Sequence, residues 1–309
     1  MAQFAIAICI ILFLISRFPD GQEARGETSV SSPAQAESEK ERTVVATLEI
    51  APFTSKIFHN TRMLRVWLPP SYSSADNVQR SYPVLYLQDG QNLFDEVANH
   101  AGKWHVNTTV DQLVASSQIP PMIVVGIDYP GQERSSEYLP YPDPHHKQHD
   151  VPVPRQFRGK DYATFLLTEV MPFIGSKYRV ARGTANTGIG GASYGAVISL
   201  YTALQYPSVF GQVLLQSPVL GVGDGQLLKD AENATQLPQK MYLGMGTQET
   251  KDPEYNAQLM ASAEELQAIL RRKGLGADRL KVVVEQGAGH NEGAWSRRLP
   301  QALIFLYAR

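Results

Sequence analysis

The sequence predicts an α/β domain, doubly wound around a mostly parallel central sheet with helices on both faces. Three observations predict it. Short runs that are apolar at every position recur along the chain. Helical patterns lie between them, and a G-x-S-x-G pentapeptide stands immediately before one of those helices. Runs without polar alternation suit strands buried on both faces of a parallel sheet. Strand and helix signals in alternation suit a sheet wound in both directions.

Taken in order, Arg65 to Leu68 reads as a strand and is closed by Pro69-Pro70 and a turn-rich stretch through Asn77. Pro83 to Leu87 is a continuous apolar run that ends at Asp89-Gly90, and Met122 to Ile127 is a second. Val213 to Leu215, Met241 to Leu243 and Lys281 to Val284 complete the strand signals. Helical patterns cover Asp161 to about Ile174, Tyr194 to Gln205, Glu254 to about Lys273 and Trp295 to Tyr307. Gly183 to Gly190 reads as turn-prone. Tyr129 to Arg158 is rich in Pro and Tyr and lacks periodicity. A loop of that length is uncommon in a compact domain and is often functional. It follows a strand's carboxyl end, where α/β folds place ligands.

The chain begins differently. Phe4 to Ile15 is an uncharged apolar run of 12 residues. It is short for a spanning helix and suits the apolar centre of a signal peptide. Residues 1–21 are therefore expected to be a signal peptide, with an uncleaved anchor as the alternative. Residues 22–42 are polar and small, offer nothing to bury, and read as a disordered tether. Residues 43–309 form one domain. The expected location is periplasmic or secreted, with membrane attachment only through an uncleaved leader.

Composition excludes several functions. The 309 residues carry 28 Lys+Arg against 30 Asp+Glu, a formal net charge of −2. A nucleic-acid partner needs clustered basic residues and is not expected. The single cysteine, Cys9, lies inside the leader, so the chain has neither an internal disulfide nor a Cys-ligated metal centre.

The chemistry rests on Gly191-Ala192-Ser193-Tyr194-Gly195. A nucleophile elbow needs this pattern between a strand and a helix. Its flanking glycines are expected where strand and helix pass too closely for side chains. A serine hydroxyl needs a base, and in this arrangement the chain order is Ser, acid, His. Of seven histidines only His290 follows Ser193; it lies just beyond the Lys281 to Val284 strand. It is expected to act as general base and then general acid. The acid should follow the Met241 to Leu243 strand, where Glu249 and Asp252 are both available. Glu249 lies nearer the strand end, whereas Asp252 precedes a proline and suits a helix cap. A dyad without a carboxylate also remains open. The oxyanion hole needs two backbone N–H donors, expected at Tyr194 and at Gln91 in the Gln88 to Asn92 loop.

The stretch YPVLYLQDGQNLFD (82–95), the block IGGASYGAVISLYTALQYPSVFG and the terminal GAGHNEGAW together resemble the putative esterase family of α/β-hydrolases. That family includes siderophore (enterochelin), feruloyl and acetyl-xylan esterases, S-formylglutathione hydrolase and the mycolyltransferases. The resemblance runs from about Thr43 to the C-terminus. It implies the α/β-hydrolase fold, Ser193 as nucleophile, His290 as base and the Asp89-Gly90-Gln91 loop at the oxyanion hole. It implies no cofactor and a small-molecule ester substrate. Through the siderophore branch it points to Arg134 as a substrate-facing residue; the alternative is a salt bridge to Glu137. Trp295 and Trp104 also match the pattern, as substrate contacts or as packing. Family membership sets reaction type rather than substrate. An acyltransferase and a non-catalytic binding protein stand as alternatives to the hydrolase.

Two further features have plain readings. His145, His146 and His149 beside Asp143 and Asp150 read as a solvated loop tip, since no metal-ligand spacing supports them. Asn107 and Asn233 open glycosylation sequons, relevant only in a eukaryotic secretory pathway. The sequence does not indicate an oligomeric state.

Overall fold

Eight strands form one sheet in the order β1-β2-β4-β3-β5-β6-β7-β8. The computed structural model describes residues 46–95, 102–142, 154 and 156–308. The leader, the tether and the His145, His146, His149 cluster lie outside them. The strands are β1 (Thr47–Thr54), β2 (Thr61–Leu68), β3 (Val84–Gln88), β4 (Ile123–Ile127), β5 (Thr187–Ala192), β6 (Gln212–Gln216), β7 (Lys240–Gly246) and β8 (Leu280–Glu285). β2 runs antiparallel to β1 and to β4, and every pairing from β4 to β8 is parallel. The helices are α1 (Val106–Ala115), α2 (Arg134–Tyr138), α3 (Gly159–Phe165), α4 (Met171–Lys177), α5 (Tyr194–Gln205), α6 (Val222–Asn233), α7 (Pro253–Arg272) and α8 (Glu292–Tyr307).

The uninterrupted apolar runs have a direct cause. In β3, Val84 and Tyr86 join the core beneath α3, α5 and α7, while Leu85 and Leu87 join the core beneath α1 and α8. Successive side chains point to opposite faces, so a sheet covered on both sides needs apolar residues at every position. Met241 and Met245 are core residues by the same rule.

The structure corrects three expectations. The turn-prone stretch before the pentapeptide holds strand β5, paired with both β3 and β6. An additional edge strand, β1, precedes the first expected one. The expected helix from Asp161 to Ile174 is broken into α3, a π-helical turn over Leu166–Val170, and α4. Glu169 in that turn accepts hydrogen bonds from Ser55 Oγ and from the Lys56 and Ile57 amides, pinning the β1–β2 connection. The aperiodic stretch after β4 carries the short helix α2, whose Glu137 is held by Arg62 at 2.6 Å in a buried pair. Of the sequon residues, Asn107 is buried and its Oδ1 accepts from the Asp95 amide, a poor glycan acceptor, while Asn233 is exposed. Among the described residues no helix is long and apolar enough to cross a membrane.

Candidate active site

Parallel strands deliver their following loops to one edge of the sheet, so six of them bring their carboxyl-terminal residues together. These are Asp89 to Gln91 after β3, Asp128 after β4, Ser193 after β5, Ser217 after β6, Glu249 after β7 and His290 after β8.

Ser193 sits between β5 and α5 at φ 57°, ψ −129°. This positive φ lies far from the left-handed helical well, so the backbone is strained. The turn is so sharp that a Cβ on Gly191 would lie 2.7 Å from the Gly195 carbonyl carbon. A Cβ on Gly195 would meet Asp89 Oδ2 at 3.0 Å, which shows that the elbow packs directly on the loop after β3. The Ser193 amide donates to Gln216 O at 3.0 Å. Tyr194 is the first residue of α5, and Gln91 lies in the single turn Gly90–Asn92. Gln91 Oε1 accepts from the Tyr129 amide, tying this turn to the loop after β4.

His290 Nδ1 is 2.8 Å from Glu249 Oε2. Glu249 is buried, and its Oε1 accepts from Ser217 Oγ and from the Gly246 amide, each at 2.6 Å. Burial alone would push this carboxyl up. The hydrogen bond and charge of His290 and the bonds from Ser217 and Gly246 outweigh it and hold the carboxyl below its ordinary value. Asp252 does not share this site. It is the N-cap of α7, accepting from the Glu254 and Tyr255 amides.

Arg134 pairs with Asp89 in a two-pronged contact at 2.7 and 2.8 Å, not with Glu137. Its guanidinium also lies 5.1 Å from the Tyr138 ring centroid and 5.9 Å from that of Tyr194. Burial lowers its affinity for a proton, but the Asp89 charge and hydrogen bonds more than reverse this. Arg134 therefore braces the loop after β3 against the elbow. Trp295 is buried. It meets His290 edge-on at 5.2 Å, packs on Trp104 at 5.7 Å and donates from Nε1 to Ser217 Oγ at 3.0 Å. Among the described residues no cluster of His, Cys, Asp and Glu could hold a metal ion.

The chain matches the family described as Putative esterase over residues 55–306, which is well over half its length. The chain belongs to this family. It is a serine esterase, and ester hydrolysis is the chemistry of its class. Two curated Bacillus subtilis relatives of this esterase match it along most of their length. "Uncharacterized protein YbbA" is 23% identical over 80% of this chain and 93% of the relative; "Uncharacterized protein YjcH" is 26% identical over 74% and 85%. A solved ferulic acid esterase superposes with a TM-score of 0.64 at 22% identity, covering 85% of this chain and 98% of that one. The BES protein from Bacillus cereus gives 0.66 at 20%, covering 88% and 100%. The Shigella flexneri enterobactin esterase FES gives 0.63 at 21%, covering 84% of this chain but 59% of that longer one. At these identities the likeness shows the fold, which is that of the α/β-hydrolases.

Three residues of the site escape sequence reasoning. Two of them, Ser217 and Arg298, lie beside Glu249. Arg298 had a usable signal: it falls on the apolar stripe of α8 with Trp295, Leu299 and Ala302. A charge on such a stripe needs a partner. The third is Glu292, which is buried and accepts from Asn92 Nδ2 at 3.1 Å. Burial, then the charge of Asp89, pushes its carboxyl above the ordinary 4.5. A carboxyl raised on folding contributes stability that is fully present below its unfolded value and lost as pH rises through the folded one. Glu292→Gln is therefore expected to raise Tm at pH 7–8. The gain should vanish below about pH 4.5. Calorimetry across that range checks it, and a gain independent of pH would contradict the assignment.

Proposed function

We propose that this esterase hydrolyses carboxylic esters through a Ser193–His290–Glu249 triad and an acyl-enzyme. The observation that carries the reading is the 2.8 Å bond between His290 Nδ1 and the buried Glu249 carboxylate. That bond keeps the proton on Nδ1 and leaves Nε2 as the free base. Ser193 Oγ attacks the ester carbonyl and its proton passes to His290 Nε2. The negative oxygen of the tetrahedral intermediate is held by the Tyr194 and Gln91 amides. On collapse, His290 returns the proton to the departing alcohol. Water then repeats the sequence on the acyl-enzyme and releases the acid and free Ser193. Asp252, engaged as a helix cap, has no role in these steps.

For substrate, siderophore-type (enterobactin-like) lactones and feruloyl or carbohydrate esters are the leading classes. They are supported by the names of the structural neighbours, a ferulic acid esterase and enterobactin esterases. Export rests on the apolar run Phe4 to Ile15, residues 43–309 being the esterase domain. The test is labelling with a fluorophosphonate, followed by peptide mapping and then a panel of feruloyl, acetyl-sugar and catecholate-serine esters. A covalent adduct on Ser193 and turnover of at least one ester class are expected. An unlabelled, folded protein inert on the whole panel would sink the reading.

A further inference from the structure

Arg298 takes no part in the steps above, yet it is 1% exposed. Its Nε donates to Gln216 Oε1 at 2.8 Å and its Nη2 to Ser217 Oγ at 3.1 Å. The same hydroxyl accepts from Trp295 Nε1 at 3.0 Å. A hydroxyl has one proton and two lone pairs. With both lone pairs taken by N–H donors, its proton is directed to Glu249 Oε1, 2.6 Å away. Gln216, which Arg298 also holds, accepts the Ser193 amide through its carbonyl. One buried guanidinium thus reaches both the support of the acid and the support of the serine.

We propose that Arg298, acting through the Ser217 hydroxyl, is the positioning residue that keeps the Glu249 carboxylate charged and aimed at His290. The inference rests on the triad reading given above. Packing does not explain an arginine here. A leucine or methionine would fill the α8 stripe without the desolvation penalty of a buried cation. Burial does push the Arg298 guanidinium down, against the opposing charges of Glu249 and Glu285.

The charged and titratable neighbours fix the direction of the effect. Glu249 and Glu292 lie around His290, with Asp89 beyond Glu292 and itself paired to Arg134. Around Arg298 lie Glu249, Tyr242 on β7 and Glu285 on β8, which Arg298 Nη1 meets at 3.3 Å and which Arg297 also pairs with. Removing the guanidinium takes away a positive charge and a donor that orients Ser217 Oγ, so the Glu249 carboxylate is held less firmly in its charged form and supports His290 less.

The test is kcat and KM for p-nitrophenyl acetate, with Tm as the check on folding, for wild type, Ser193→Ala, Arg298→Met, Arg298→Lys and Ser217→Ala. Arg298→Met should lower kcat roughly tenfold or more with KM little changed. Arg298→Lys keeps the charge and should recover most of kcat. Ser217→Ala should lower kcat without changing KM. If Arg298→Met and Arg298→Lys lose kcat equally, Arg298 is packing alone. If Arg298→Met does not fold, unchanged kcat in Ser217→Ala overturns the proposal by itself. Wild-type turnover no faster than that of Ser193→Ala would instead defeat the triad reading, and this proposal with it.

Discussion

Ser193→Ala is expected to lower kcat for p-nitrophenyl acetate by about four to six orders of magnitude, and Ser193→Ala/His290→Ala by no more than that. The non-additivity follows from the proposed mechanism. His290 has no task once Ser193 lacks a hydroxyl, so its removal costs nothing further. Independent contributions would instead multiply, and a double variant far below either single one would refute a shared step. Stability provides a separate check. Alanine keeps the Cβ that strains the turn at φ 57°, ψ −129°, so Ser193→Ala should melt close to wild type. Glycine accepts a positive φ freely. Relief of about 1–3 kcal/mol of strain outweighs the roughly 0.5–1 kcal/mol entropic cost of a glycine. Ser193→Gly should therefore be as inactive as Ser193→Ala but melt several degrees higher. A lower Tm for the glycine variant would mean that the turn stores no strain.

Glu249→Gln is expected to cost about 10⁴ in kcat, whereas Asp252→Ala should leave kcat within about twofold. Two donors, Ser217 Oγ and the Gly246 amide, converge on Glu249 Oε1. A glutamine placed there must keep its oxygen on those donors, so its NH2 group turns toward His290. An N–H aimed at Nδ1 forces the imidazole proton onto Nε2, and Nε2 can then no longer accept the Ser193 proton. The fold should survive because the shape and all three hydrogen bonds persist, but the bond to His290 is reversed and the tautomer is wrong. Asp252→Ala acts elsewhere. It removes the acceptor for two amides at the start of α7 and should cost about 1 kcal/mol of stability. Comparing kcat with urea unfolding for both variants separates the two roles. Similar small losses in kcat for both would point to a Ser-His dyad.

Much of this molecule is legible in its residues. Val84 to Gln88, Ile123 to Ile127 and Gln212 to Gln216 announce themselves because a two-sided core demands apolar side chains at successive positions. β5 does not, because TGIGGA has almost no side chains to read. Its glycines are demanded from outside the strand. A Cβ on Gly188 would collide with the Tyr307 hydroxyl, and one on Gly190 would lie 2.6 Å from Leu214 O. Residues far along the chain, Tyr307 above all, therefore decide why this strand looks like a turn. β1 was hidden for a different reason. It is a half-exposed edge strand and needs no continuous apolar run.

The sequence by itself singled out Ser193 and His290 as the candidate nucleophile and base. Ser193 stands in a local strand–turn–helix pattern, and His290 is the one histidine after it. Both assignments follow from chain order and local backbone chemistry. Only the tertiary structure paired Glu249 rather than Asp252 with His290, paired Arg134 with Asp89 rather than Glu137, and enclosed Arg298 beside Ser217. The physical reason is range. A backbone turn is settled by its neighbours along the chain, whereas a hydrogen bond of about 3 Å is settled by whichever side chains the sheet edge brings together.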